Sequence, residues 1–231
     1  MTEMVKCKLN GRHEIILPKH RADRPEWYTD TGWEKKRLDH MFHKIGKGSV
    51  VYYVGVEEGD MTALCAMWGA KLVMFEPNEL VMPNIKAIWE ANGLDTSDIF
   101  YPCFASDRTI GDVKQVTIAD IEGDVIHDHG FKELKDPGSI PEVTIDDVVR
   151  ETGVVPTVIS LDVEGSEGRV LRGAEQTLRA SHPAIYLSLH PEFIHEQYGE
   201  WGAELRKWLI DLGYKETLID YPLHEVHLYH E

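Results

Sequence analysis

Hydrophobic positions change their period several times along the chain, and each change marks an element. In Val5-Lys6-Cys7-Lys8-Leu9 apolar and polar residues alternate, and Glu14-Ile15-Ile16-Leu17 is a short apolar, β-branched run, with Asn10-Gly11 between the two. Alternation is the period of a half-buried strand, and Asn-Gly suits a tight hairpin turn. A β-hairpin arm is predicted, followed by a polar, Pro-containing linker over 18–31. Over 33–45, Leu38, Met41, Phe42 and Ile45 fall at i, i+3, i+4 and i+7, the stripe of an amphipathic helix that Gly46 can end.

From residue 49 onward, short apolar runs alternate with helical stretches. Strands are predicted at 49–54, 71–76, 99–105, 158–163 and 184–190, and helices at 60–68, 78–89, 145–151, 168–180 and 201–212. Segment 106–141 is irregular and rich in Asp, Gly and His, with a short hairpin expected around 115–121 and 125–127. A terminal hairpin is expected from 214–219 and 226–229. Strands alternating with helices imply a mostly parallel sheet covered on both faces, and the terminal hairpin would add an antiparallel strand at its edge. The chain thus divides into an arm and linker, 1–32, and one α/β domain, 33–231.

Composition narrows the classes. A length of 231 residues suits one large domain. No apolar run is long enough to span a membrane, and no apolar leader opens the sequence, so a cytoplasmic chain is expected. Cys7, Cys65 and Cys103 lie far apart, which suits a reducing compartment better than a disulfide framework. A formal net charge of −16 disfavours nucleic acid as a partner. The basic runs Lys19-His20-Arg21 and Lys35-Lys36-Arg37 read as solvated surface charge.

Parallel sheets bind ligands beyond the carboxyl ends of their strands, where strand order reverses. After the first strand of the domain, Gly55-Val56-Glu57-Glu58-Gly59-Asp60 makes a tight glycine turn into a helix, whose free amides suit an anionic group. After the second come Glu76, Pro77 and Asn78; an acid about 20 residues past such a turn can accept both hydroxyls of a ribose. The six-residue dinucleotide glycine pattern is missing, which tilts the nucleoside reading toward S-adenosylmethionine. Ser106-Asp107 follows the third strand, where an aspartate suits an adenine amino group or, equally, a plain turn. Asp162 and Glu164 close the fourth strand, and buried strands seldom end in two carboxylates without a use for them. His190 stands at the matching height after the fifth, where a base would be useful.

Together these segments resemble the FkbM family of methyltransferases: Gly55 to Gly59, Phe75-Glu76-Pro77-Asn78, Ala105-Ser106-Asp107, Thr144-Ile145-Asp146-Asp147, and Ile159-Ser160-Leu161-Asp162-Val163-Glu164-Gly165 with Leu171-Arg172-Gly173-Ala174. The resemblance runs from about 49 to 189. It implies a class I methyltransferase fold, a seven-stranded sheet with an antiparallel hairpin at its end. It also implies S-adenosylmethionine as cofactor and O-methylation of a sugar, glycan or small natural product. Tyr53 stands where the family usually has an acid that helps hold the methionine ammonium, and Glu57, Glu58 or Asp60 is the expected substitute.

On this reading, cofactor contacts are expected from Tyr53, Gly55, Glu57, Gly59, Glu76, Pro77, Asn78, Ser106, Asp107 and Asp162, and catalysis from Asp162, His190 and Glu164. Asp162 and His190 are the candidates for taking the hydroxyl proton, with Glu164 placing the acceptor. A divalent metal on Asp162, Glu164, His190 and the run His127-Asp128-His129 is conceivable but not predicted, since ligation needs convergence that spacing does not reveal. Acceptor-side loops are expected at 106–141 and 191–199. Trp27, Tyr28 and Trp33 either stack on a sugar face or pack together, and the arm offers a route to homo-oligomers by exchange with a neighbour. The rival readings are a non-catalytic S-adenosylmethionine-binding protein, motivated by Tyr53, and a nucleic-acid methyltransferase, disfavoured by charge.

Overall fold

A computed structural model describes residues 3–24, 34–126, 137–222 and 225–231. The arm is a hairpin of β1 (Met4–Leu9) and β2 (His13–Pro18), antiparallel throughout. It packs on its own chain: Ile15 and Leu17 are fully buried in the main core. Each such burial contributes about 1.5–3 kcal/mol. Asn92 at the end of helix α4 (Met82–Ala91) extends this contact, exchanging hydrogen bonds with the backbone of Ile16 at 2.9 and 2.8 Å. The expected linker opens instead as a short helix, α1 (Lys19–Ala22), and residues 25–33 lie outside the described ones.

Helix α2 (Lys35–Lys44) buries Leu38 and Met41, and Ile45 just beyond it, as the stripe predicts. Phe42 is partly exposed and rests on Trp68 and His13. The central parallel strands are β3 (Val50–Val54), β4 (Lys71–Phe75), β5 (Ile99–Tyr101), β9 (Val158–Leu161) and β10 (Ala184–Leu189). From β3 the chain steps one way to β4 and β5, and later the other way to β9 and β10, so strand order reverses between β3 and β9. Nearly every residue of these strands is buried, because helices cover both faces.

Among the described residues the sheet has eight strands, the seven expected and a two-residue eighth. The eighth, β7 (Val116–Thr117), pairs antiparallel with β5 and replaces the hairpin expected around 115–127. At the other end the final strand β12 (Val226–His230) lies inside the sheet, antiparallel to both β10 and β11 (Glu216–Asp220). The edge therefore belongs to β11, not to the strand antiparallel to the central ones.

Three further expectations are corrected. The strand 99–105 breaks at Pro102, which has no N–H to donate, and its end becomes β6 (Phe104–Ala105), paired with β8 (Glu142–Val143) in a separate ladder. The helix 168–180 is two helices, α6 (Glu167–Arg172) and α7 (Glu175–Ser181), parted where Gly173 presses so close to Ser106 that a Cβ would sit 1.9 Å from its carbonyl oxygen. The loop expected at 191–199 is helix α8 (Pro191–Tyr198), begun by proline and ended by Gly199 in the left-handed region. Helices α3 (Asp60–Met67), α5 (Ile145–Thr152) and α9 (Gly202–Asp211) match their predicted positions. Among the described residues, no helix is long and apolar enough to cross a membrane.

Candidate functional site

The carboxyl ends of β3, β4, β9 and β10 carry the candidate residues. Beyond β3 the chain turns at Gly55, whose φ is +79°. Its amide donates to the Phe75 carbonyl at 3.0 Å, while the Asp162 amide donates to the Val54 carbonyl at 3.1 Å. The turn is thereby tied to both neighbouring strands at the point where strand order reverses. Gly59 then caps α3.

Glu76 ends β4 and is buried. Its Oε2 accepts the Glu57 amide and its Oε1 the Asn78 amide, each at 3.0 Å. Burial pushes its carboxyl up to about 7, against the downward pull of these amides. Each oxygen keeps acceptor capacity for another donor. Pro77 follows, and the Asn78 side chain accepts the Leu80 amide at 3.2 Å, which caps the turn after the strand. Glu76, Pro77 and Asn78 therefore form one short wall beside the Gly55 turn.

Tyr53 is buried within β3, and burial drives its phenol upward. The acids offered as its substitute are matched by cations from the arm. Arg21 of α1 donates to both Glu57 oxygens at 2.9 and 3.1 Å and to Asp60 at 2.8 and 3.3 Å. Glu58 lies 2.6 Å from His20 Nε2 and accepts from Asn84 Nδ2 at 2.8 Å. Glu57 keeps a half-exposed side chain; Asp60 and Glu58 are buried.

Asp162 ends β9 with its side chain 28 % exposed. Beneath it Arg37, fully enclosed, donates to Asp162 Oδ2 at 3.2 Å, Ser188 Oγ at 2.9 Å, Ser160 Oγ at 3.0 Å and Glu34 Oε1 at 3.4 Å. Arg21 and Arg37, one from each basic run, thus face inward onto carboxylates, where surface charge was expected.

His190 follows β10 and is 6 % exposed. Its Nδ1 lies 2.7 Å from the buried Glu167 carboxylate. Its Nε2 faces Asp162 Oδ1 and Glu225 Oε2, each at 3.7 Å. Burial alone would lower its pKa, but the Glu167 hydrogen bond and the surrounding negative charge raise it to about 9. Glu164 stands exposed at the rim between Asp162 and Gly165, its φ at +49° and its carbonyl held by Gln197 Nε2 at 3.0 Å.

The structure brings Asp162, Glu164 and His190 together, and sets Glu76 beside the Gly55 turn. Ser106 and Asp107 are engaged elsewhere. Ser106 Oγ donates to Glu142 at 2.5 Å, and Asp107 accepts from Arg169 of α6 at 2.8 and 3.1 Å. Among the described residues no hydrogen bond joins this network to Glu76. The run His127-Asp128-His129 and the aromatics Trp27, Tyr28 and Trp33 lie outside the described residues. Arg21, Arg37, Glu167 and Glu225 are site residues that no motif signalled, because each reaches its partner from a distant part of the chain.

Known proteins resemble this chain in sequence pattern and in fold. A family model, the methyltransferase FkbM domain, matches residues 49–216. A methyltransferase FkbM from Methylobacillus flagellatus KT is similar in structure, with a TM-score of 0.54 and 15% identity over 83% of this chain. The chain spans 50% of that protein's length. A precorrin 8W decarboxylase from Methanobacterium thermoautotrophicum is also similar, with a TM-score of 0.52 and 14% identity over 87% of this chain and 90% of that one. Curated proteins give no match. The family model covers well over half of the chain, a segment that includes the Gly55 turn, Glu76, Asp162 and His190, and by that match the chain belongs to the FkbM family of S-adenosylmethionine-dependent methyltransferases.

Proposed function

We propose that the chain methylates a hydroxyl oxygen of a sugar, glycan or small natural product, using S-adenosylmethionine bound over the Gly55 turn. The observation that carries the cofactor reading is Glu76. It is a buried carboxylate at a strand end, oriented by two backbone amides and with acceptor capacity to spare. Such a group suits a pair of ribose hydroxyls. Gly55 lets the turn press backbone on backbone against Asp162, where any side chain would collide, and so holds the turn beside Glu76 and the end of β9. The residues present therefore fit the cofactor.

When bound, S-adenosylmethionine supplies a methyl group already activated by its sulfonium. The protein's tasks are to align an acceptor oxygen and to take its proton. Asp162 is the proposed proton acceptor, because its carboxylate is the partly exposed one, held in place by Arg37 through the other oxygen. His190, locked by Glu167, borders the same opening and orients what enters it. Glu164 at the rim meets the acceptor first. The hydroxyl class of the acceptor comes from the family resemblance, and the acidic rim agrees with a neutral polyol better than with a phosphate-rich one.

The test is release of S-adenosylhomocysteine across a panel of sugars, glycans and hydroxylated small molecules. Turnover with a hydroxyl acceptor that falls about 10²–10⁴-fold in Asp162→Asn supports the reading. Cofactor binding with no turnover on any acceptor would favour the non-catalytic alternative that Tyr53 suggests.

A further inference from the structure

We propose that Asp162, His190 and Glu225 form a site for one divalent cation of the magnesium or manganese class, at the mouth of the acceptor side. Among the described residues these three are the group of histidine and acidic side chains close enough to share an ion, each offering an atom within 4.8 Å of the others. The inference deepens the methyl-transfer reading in what the ion would do, while the site itself stands on geometry alone.

The first observation is His190 Nε2. The side chain is more than nine-tenths buried, its Nδ1 is bonded to Glu167, and Nε2 makes no hydrogen bond to any described residue. It is aimed between two carboxylates at 3.7 Å from each. That separation is too long for a hydrogen bond. It lies inside the range of about 3.0–4.2 Å that separates two atoms each about 2.1 Å from one shared ion.

The second observation is that each donor side chain is fixed by a neighbour, Asp162 and His190 through the atom turned away from the gap. Asp162 turns Oδ2 to Arg37 at 3.2 Å and leaves Oδ1 facing the gap. His190 gives its other ring nitrogen to Glu167 at 2.7 Å, the arrangement that fixes the orientation of metal-binding histidines. Glu225 Oε2 lies 2.9 Å from His227 Nε2, and His227 is fully buried. Glu34, also buried, keeps Oε2 without a partner and feels the charges of both Asp162 and Glu225. The three donors come from the ends of β9 and β10 and from the start of β12, so convergence is a product of the sheet order and invisible in spacing.

Two carboxylate oxygens and one imidazole make a mainly hard donor set, which suits magnesium or manganese over softer ions. Three protein donors leave positions open for acceptor oxygens. An ion there would bind an acceptor hydroxyl and make its proton easier to lose to the Asp162 carboxylate.

The full-length protein, freed of metal with chelator, is titrated with manganese alone, and free ion is followed by electron paramagnetic resonance. One saturable site per chain is expected, displaced by magnesium. Glu225→Gln should weaken it more than about tenfold, and Glu167→Gln, which bonds the back of His190 and the Gly165 amide but offers nothing to the ion, about 10–100-fold. Melting curves show that each variant is folded. No saturable binding by the unsubstituted chain up to millimolar manganese overturns the proposal, as does affinity unchanged in both folded variants. S-adenosylmethionine is titrated into the same protein: binding of cofactor without manganese removes the ion alone, whereas manganese without cofactor removes the methyl-transfer reading and leaves the site.

Discussion

A Cβ on Gly55 would stand 1.9 Å from the carbonyl oxygen of Asp162, with the residue's φ at +79°. The two backbones meet where strand order reverses, so the cofactor turn and the proposed base share one contact. Gly55→Ala is expected to cost at least about 2 kcal/mol of stability, because it demands both a strained φ and movement of a strand end. Denaturant unfolding measures the loss, and cofactor affinity should fall with it. An alanine variant of undiminished stability would mean that the turn is looser than this contact implies.

Arg21 couples the arm to the cofactor turn. It is buried and ion-paired with Glu57 and Asp60, with Glu58 3.9 Å away. Arg21→Ala removes a buried cation from this acidic cluster, and is expected to destabilise the protein by about 3 kcal/mol. Arg21→Lys should recover only part of that, since an ammonium cannot reproduce the fork on Glu57. Thermal melting of the two variants decides the point; equal melting temperatures for alanine, lysine and the native residue would refute the coupling.

Glu76 predicts a pH dependence of stability. Its folded-state pKa, pushed up by burial to about 7, lies above the value of about 4.3 for an unfolded chain. The folded state holds this proton more tightly, so stability is fully present below about pH 4.3 and falls as pH rises toward 7. The fall is on the order of 3 kcal/mol from this one group. The difference in melting between the native chain and Glu76→Ala, followed from pH 4.5 to 8, should shrink with rising pH. A pH-independent difference would show that Glu76 ionises normally.

Much of the fold is written in local pattern. Asn10-Gly11 marks the hairpin, and the spacing from Gly55 to Glu76 marks the proposed nucleoside side, because the first signal lies within one hairpin and the second within one βαβ unit. Elements that depend on distant contacts are not legible in this way. Val116 and Thr117 become a strand only because β5 offers an edge. Pro191 looks like a break yet begins a helix. The same holds at the site. Asp162 and His190 announce themselves at strand ends, whereas Arg37 reaches Asp162 from 125 residues away and Arg21 reaches Glu57 from 36. A lysine- and arginine-rich run reads as solvated charge until the sheet shows which member turns inward.

The most direct test is calorimetric titration of the cofactor-stripped protein with S-adenosylmethionine, beside Glu76→Ala. The native chain should bind at about micromolar affinity, and removing two charge-assisted hydrogen bonds of about 1.5–3 kcal/mol each should weaken binding at least 100-fold in the folded variant. No binding by the native chain, or equal binding by both, would contradict the account of Glu76 as the residue that holds the cofactor.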